Sequence, residues 1–277
     1  MNLTLTVLCE NSVGEIGPLA EHGWSVLIER GQERYLFDTG GGLTLQHNAL
    51  FYKKDLKDLD GILLSHHHID HTGGLVAALK FSGLTNVYAH PDIFKKTFSF
   101  RNNKKLFIGM PYTRAYLESL GAWWQLSNQF REIDPNIFLS GEVPRKTTYE
   151  KGDQSLILID ENGRSADTLM DDQSLIVKTK SGLVIILGCA HAGIINTLEH
   201  IIDKTGDHRV LTLIGGTHLG SVSQEQKEQS LEALQSYDIE SIGVSHCTGA
   251  DASFKLREIF GERFFHCQVG TQLQFKG

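Results

Sequence analysis

Four histidines and one aspartate fall within six consecutive residues, His66-His67-His68-Ile69-Asp70-His71. Imidazole nitrogens and carboxylate oxygens are the donor set for zinc and similar first-row divalent ions. The apolar stretch 61–64 reads as a strand running straight into this cluster. At the end of a strand, His66 and His68 sit two apart and share a face. Gly73 and Gly74 follow, so the chain must turn, and Asp70 and His71 then face a second point nearby. One loop therefore offers two ligands to each of two metal ions. His67 has the opposite parity and is expected to point away, packed or exposed. A surface histidine tract is the competing reading. It fits poorly with a run that lies inside the chain, behind an apolar strand, with Asp and paired Gly at fixed places.

A two-metal site needs further donors, and these should also leave strand ends. His191, His218 and His246 each follow an apolar stretch and sit beside small residues, in Gly188-Cys189-Ala190-His191, Gly215-Gly216-Thr217-His218 and Ser245-His246-Cys247-Thr248-Gly249. Any one alone would read as a loop histidine; three in the same context argue for ligation. His22, His47, His90, His200, His208 and His266 lack the pattern and are expected to be structural or exposed.

Strands are expected over 3–8, 24–29, 33–37, 61–64 and 86–89, with the second and third joined as a hairpin by the turn at Gly31. Helices are expected over 43–56 and 75–81, with another opened by Pro91. Residues 98–139 look irregular, an insertion or lid. Beyond them, strands are expected over 156–159, 173–178, 183–187, 209–214, 241–244 and 270–275. Between these fall helices over 194–204, 223–235 and 252–260, the second with Ser223 as N-cap and Gln226 at the capping-box position. Strand-rich halves with interspersed helices suggest two sheets inside layers of helices. No linker divides the chain, so residues 1–277 read as a single domain.

Composition narrows the function classes. With 277 residues and 40% hydrophobic content the chain can bury a large core. A formal charge of −7 argues against a nucleic-acid partner, which needs clustered Lys and Arg. No apolar run approaches the ~20 residues that span a bilayer, so no membrane partner is expected. The four cysteines, Cys9, Cys189, Cys247 and Cys267, form no CxxC pair. An iron–sulfur or zinc-ribbon site thus has little support, and a cytoplasmic protein with free thiols is expected. The oligomeric state is open.

His66-x-His68-x-Asp70-His71, with Phe37-Asp38-Thr39-Gly40 before it and His191 and His246 after it, closely resembles the motif set of the metallo-β-lactamase superfamily over nearly the whole chain. The resemblance implies an α+β fold, the four-layered αββα sandwich. It implies two divalent metal ions, zinc first, with magnesium, manganese or iron as alternatives. His66, His68 and His191 would hold one ion and Asp70, His71 and His246 the other, with Asp38 hydrogen-bonded behind the ligand loop. Where the superfamily usually places a bridging Asp, this chain has His218. Asp70 and His218 are then the candidates for catalytic work, and Arg145, Lys53, Lys54 or His218 for gripping a substrate. The stretches around Gly141, Asp172, Cys189 and Gly216 resemble the branch containing dihydropterin-methyl transferases of tetrahydromethanopterin biosynthesis. That implies a small phosphorylated or pterin-like substrate. The alternative is hydrolysis of a phosphodiester, lactone or thioester by metal-activated water, and a minor one is metal binding without catalysis.

Overall fold

The computed structural model describes residues 2–101, 104–160 and 163–276. In chain order β1 (Leu3–Cys9), β2 (Ser25–Arg30) and β3 (Glu33–Phe37) precede α1 (Leu45–Phe51) and β4 (Gly61–Leu63). Next come α2 (Ile69–Thr72), α3 (Leu75–Ser82), β5 (Thr85–Ala89), β6 (Thr97–Arg101) and β7 (Lys104–Phe107). They are followed by α4 (Arg114–Ser119), β8 (Ala122–Leu126), β9 (Arg131–Asp134), β10 (Ile137–Leu139), β11 (Leu156–Asp160) and β12 (Gly163–Ala166). Then come β13 (Leu175–Thr179), β14 (Gly182–Ile186), α5 (Ile194–Thr205), β15 (Arg209–Gly216) and α6 (Gln224–Leu234). The last are β16 (Asp238–Ile239), β17 (Ile242–Ser245), α7 (Ala250–Phe260) and β18 (Gln272–Phe275).

The chain forms two compact units. The first comprises Met1–Ser127, Ile157–Ser165 and Gln268–Gly277, and the second Asn128–Leu156 and Ala166–Cys267. The first unit is built on a seven-stranded sheet ordered β18-β1-β2-β3-β4-β5-β8. Its hairpin β2–β3 closes with Arg30 opposite Glu33, which leaves Gly31 and Gln32 as the two-residue turn. Gly31 takes φ 66°, as the expected tight turn requires. From β3 onward the strands run parallel through β4, β5 and β8. Parallel strands are covered on both faces, and Ile62 and Leu63 of β4 are fully buried as their wholly apolar sequence implies. Leu75, Ala78 and Leu79 of α3 pack with Leu36, Ile62 and Val87 of the sheet in one core. A second, four-stranded sheet has the order β12-β11-β6-β7.

In the second unit the sheet order is β16-β15-β14-β13-β10-β9, with β17 also paired to β15. Strand β15 is parallel to β14, β16 and β17. Its core joins Ile185 and Leu213 to Leu198 of α5, Leu234 of α6 and Leu256 of α7. Among the described residues, no helix is long and apolar enough to cross a membrane.

Several local expectations shift. Residues 98–139 are not irregular: they supply β6, β7, α4, β8, β9 and β10. Each of these spans only three to six residues, too short for a helical or strand period to stand out. In β8 the side chain of Trp123 is exposed, while Trp124 packs edge-on against Phe94 at 5.0 Å. The helix expected over 43–56 stops at Phe51, since Lys53 takes a left-handed φ of 54°. Pro91 opens a four-residue 3-10 turn, Pro91–Phe94, capped by His90 Nδ1 accepting from the Asp92 N–H at 3.0 Å. The capping box at α6 is half formed. Ser223 Oγ accepts from Gln226 N at 3.2 Å, but the Gln226 side chain turns away to accept from Lys151 N at 2.9 Å. Ser223→Ala is therefore expected to cost about 1 kcal/mol of stability, read from a denaturant midpoint. Gln226→Ala should release the segment at Lys151, visible as faster amide exchange there.

Candidate metal centre

Strands β3 and β4 are parallel neighbours, so the loops after them leave the same end of the first sheet. Asp38, directly after β3, is fully buried with a left-handed φ of 55°. Its Oδ1 accepts from Ser65 N at 2.7 Å, and its Oδ2 accepts from Ser65 Oγ at 2.7 Å. The same Oδ2 lies 2.7 Å from His71 Nδ1. A carboxylate there only accepts, so His71 carries its proton on Nδ1 and presents the lone pair of Nε2. Ser65 spends its hydrogen on Asp38, so its oxygen accepts from His66 Nδ1 at 2.9 Å, which likewise leaves His66 with a lone pair on Nε2. One buried carboxylate thus sets the tautomers of two candidate ligands.

His66 Nε2 lies 3.0 Å from His68 Nδ1. Two nitrogens on one tetrahedral ion, at bonds of ~2.0–2.1 Å, stand about 3.3 Å apart, so the pair is close to ligating geometry. Asp70 Oδ2 is 3.8 Å from His71 Nε2. His66, His68 and His71 are all buried. A buried donor set of this composition, with its tautomers fixed from behind, fits a divalent ion. His67 turns away, as its parity implies, and is buried with Nε2 at 2.5 Å from Thr97 Oγ1. The Asp38 loop and the histidine loop touch through backbone. A Cβ on Gly74 would sit 2.0 Å from the Thr39 carbonyl oxygen, so no other residue fits there.

In the second unit, β14, β15 and β17 lie side by side and parallel, which brings the loops after them to one end of the sheet. Those loops carry Cys189 and His191, His218, and His246 and Cys247. Three residues in them take left-handed backbone without being glycine: Ala190 at φ 53°, His218 at 53° and His246 at 52°. Such conformations are uncommon and cluster where function fixes the chain. The rings of His191 and His218 lie 4.1 Å apart. His218 Nε2 approaches Asp153 Oδ2 at 3.7 Å, beyond hydrogen-bond reach. Burial would depress the His218 imidazole, but Asp153 and the Cys247 sulfur overcome it and push it up to about 9. Burial would raise the Asp153 carboxyl, but His218 and the Ser155 hydroxyl and N–H hold it well below the usual range. Cys247 is also held well below an ordinary thiol, although burial opposes this, because the Cys189 thiol and the His218 and His246 imidazoles favour its thiolate.

Arg145 works on the backbone. It donates to the carbonyl of His191 at 3.0 Å and to that of Thr168. On the other side of the same residue, the His191 N–H donates to Asp172. Burial lowers the Arg145 guanidinium below its ordinary value, though Asp172 and Glu150 pull it back.

Several residues here carried no role in the sequence. Ser65 relays between Asp38 and His66. His22, expected to be structural or exposed, places Nε2 3.2 Å from Asp70 Oδ2. Asp153 faces His218 from a loop with no motif of its own. Cys189 and Cys247 were discounted for want of a CxxC pair; their signal was adjacency to His191 and His246 in two loops of the same type.

The profile of the metallo-β-lactamase superfamily matches residues 19–246. The chain is 34% identical over 288 residues to the 7,8-dihydropterin-6-methyl-4-(β-D-ribofuranosyl)-aminobenzene-5′-phosphate synthase of Methanocaldococcus jannaschii, covering 99% of this chain and 97% of that one. It is 22% identical over 226 residues to the exodeoxyribonuclease WalJ of Streptococcus pneumoniae, covering 76% and 81%. A crystal structure described as a metal-dependent hydrolase of the β-lactamase superfamily superposes with a TM-score of 0.85 at 28% identity, covering 98% of each chain. The α+β fold expected from the motifs is therefore the fold present, and with it come divalent-metal binding and enzymatic character. The chain belongs to the metallo-β-lactamase superfamily.

Proposed function

We propose that this chain is a metal-dependent transferase of the dihydropterin-methyl type, joining a dihydropterin methyl diphosphate to an aryl ribofuranosyl phosphate. The observation that carries this reading is the 34% identity to the M. jannaschii synthase, which runs over 99% of this chain and 97% of that one. A likeness confined to the metal motifs would not extend so far. The reading takes His66, His68 and His191 as ligands of one divalent ion and Asp70, His71 and His246 as ligands of a second, with zinc as the favoured metal.

Ions bound there would neutralise the charge that grows on a departing diphosphate. The chain's own residues do the positioning. Asp38 keeps a proton on His71 Nδ1 and, through Ser65, on His66 Nδ1, so both rings keep their lone pairs on Nε2. Arg145 and Asp172 grip the carbonyl and the N–H of His191, which fixes where that ring is presented. Arg145 thereby acts on the loop and has fewer donors left for a phosphate than its sequence context suggested. His22 reaches Asp70 from an exposed position, where it can follow the solvent-facing side of that carboxylate.

Hydrolysis is the second reading, favoured by the metal-dependent hydrolase that superposes at 28% identity. Incubation with the two proposed substrates separates the two. The transferase reading expects a coupled product that disappears on chelation; no product from metal-loaded protein sinks it, and turnover of a phosphodiester, lactone or thioester would then establish the hydrolase. His68→Ala should lose at least one ion per chain by elemental analysis, and retention of both would overturn the ligand assignment. Asp38→Asn preserves shape but cannot hold the same tautomers, so metal affinity should fall about 10–100-fold in competition with a chelator. An unchanged affinity would remove Asp38 from the site.

A further inference from the structure

Cys189, His218 and Cys247 come from three different loops of the second unit, at the carboxyl ends of the adjacent parallel strands β14, β15 and β17. One donor atom from each, the two sulfurs and a ring nitrogen, lie within 4.8 Å of one another. Two thiols and an imidazole at this spacing can close on a single ion with metal–sulfur bonds of ~2.3 Å and metal–nitrogen bonds of ~2.0–2.1 Å. His218 is only 9% exposed, and neither of its ring nitrogens makes a hydrogen bond. A buried imidazole left so, aimed among two sulfurs, is costly unless something else occupies it. The backbone is bent to the purpose as well: His218 takes φ 53°, and its N–H donates to Cys247 Sγ at 3.3 Å, which holds the sulfur beside the ring.

We propose that Cys189, His218 and Cys247 ligate a thiophilic divalent ion, so that the metal chemistry of this chain is sulfur-ligated in part. The proposal rests on the metal-dependent reading above and assigns His218 as a ligand within it. Charge supports it. Two thiolates and a neutral imidazole bring two negative charges to one divalent ion and leave it balanced. Buried charge without a counter-charge is strongly unfavourable. Each thiol that binds loses its proton to solvent and brings one negative charge. Asp153, 3.7 Å from His218 Nε2, stands where a carboxylate can support the ring from outside the sulfur pair. Soft thiolate donors also narrow the metal, toward zinc or iron and away from magnesium, which takes oxygen ligands.

The test uses the full-length protein in reduced form, loaded with cobalt(II) in one arm and zinc in the other. A thiolate-to-cobalt charge-transfer band in the near ultraviolet is expected, along with sulfur scattering at ~2.3 Å in zinc-edge X-ray absorption. Both signals are read on the unaltered chain and so do not depend on a variant folding. Cys189→Ser and Cys247→Ser should each weaken the band and the double variant should lose it, while Cys9→Ser and Cys267→Ser leave it intact. A wild type that binds cobalt and zinc without either sulfur signature overturns this proposal alone. A band that survives the double variant does the same. Failure to bind any divalent ion overturns it together with the metal-dependent reading.

Discussion

Behind the histidine loop of the first unit sits one buried carboxylate that cannot donate a hydrogen bond. Because Asp38 only accepts, Ser65 must turn its hydroxyl hydrogen inward, and His71 must carry its proton on the nitrogen nearest Asp38. Ser65, having given its hydrogen away, can only accept from His66. The direction of each bond follows from the one before it, and the series ends in two imidazole lone pairs on the Nε2 atoms of His66 and His71. An amide or a protonated acid at position 38 would allow other directions, and the donor set would no longer be unique. The glycines at 73 and 74, and the left-handed backbone at 38, serve this constraint by letting the two loops meet at backbone distance.

The second unit solves the same problem with topology. Three adjacent parallel strands end together, and short loops after each deliver one or two donors. The left-handed backbone at Ala190, His218 and His246 is the local cost of turning each chain so soon after its strand. Sheets formed by long-range pairing fix these loops from residues far away in sequence, so no single loop encodes its own geometry.

That division explains what was legible. The tight cluster His66–His71 announced itself, since its donors and its turn lie within one short window, and the alternation that separates His67 from its neighbours held. The strands flanking His191, His218 and His246 were legible too, as apolar runs of ordinary length. The short strands between residues 97 and 139 were not, because three to six residues carry no period. Nor was the meeting of Cys189 with Cys247. They are 58 positions apart, and their nearness depends on β15 lying between β14 and β17. For Arg145 the resemblance implies a candidate substrate grip but not its bonds to the His191 and Thr168 carbonyls, which lie 46 and 23 positions away.

The pairing of β18 with β1 sets an order of events in biosynthesis. β1 lies between β2 and β18, and its edge away from β2 is covered by residues 270–275. During synthesis the sheet that carries the histidine loop thus keeps this edge of β1 open until residues 270–275 have left the ribosome. Open strand edges invite pairing with other chains. The second unit, whose segments end at Cys267, needs none of those residues. The sheet that carries the loop richest in metal donors is therefore closed along β1 only after the segments of the second unit have been made.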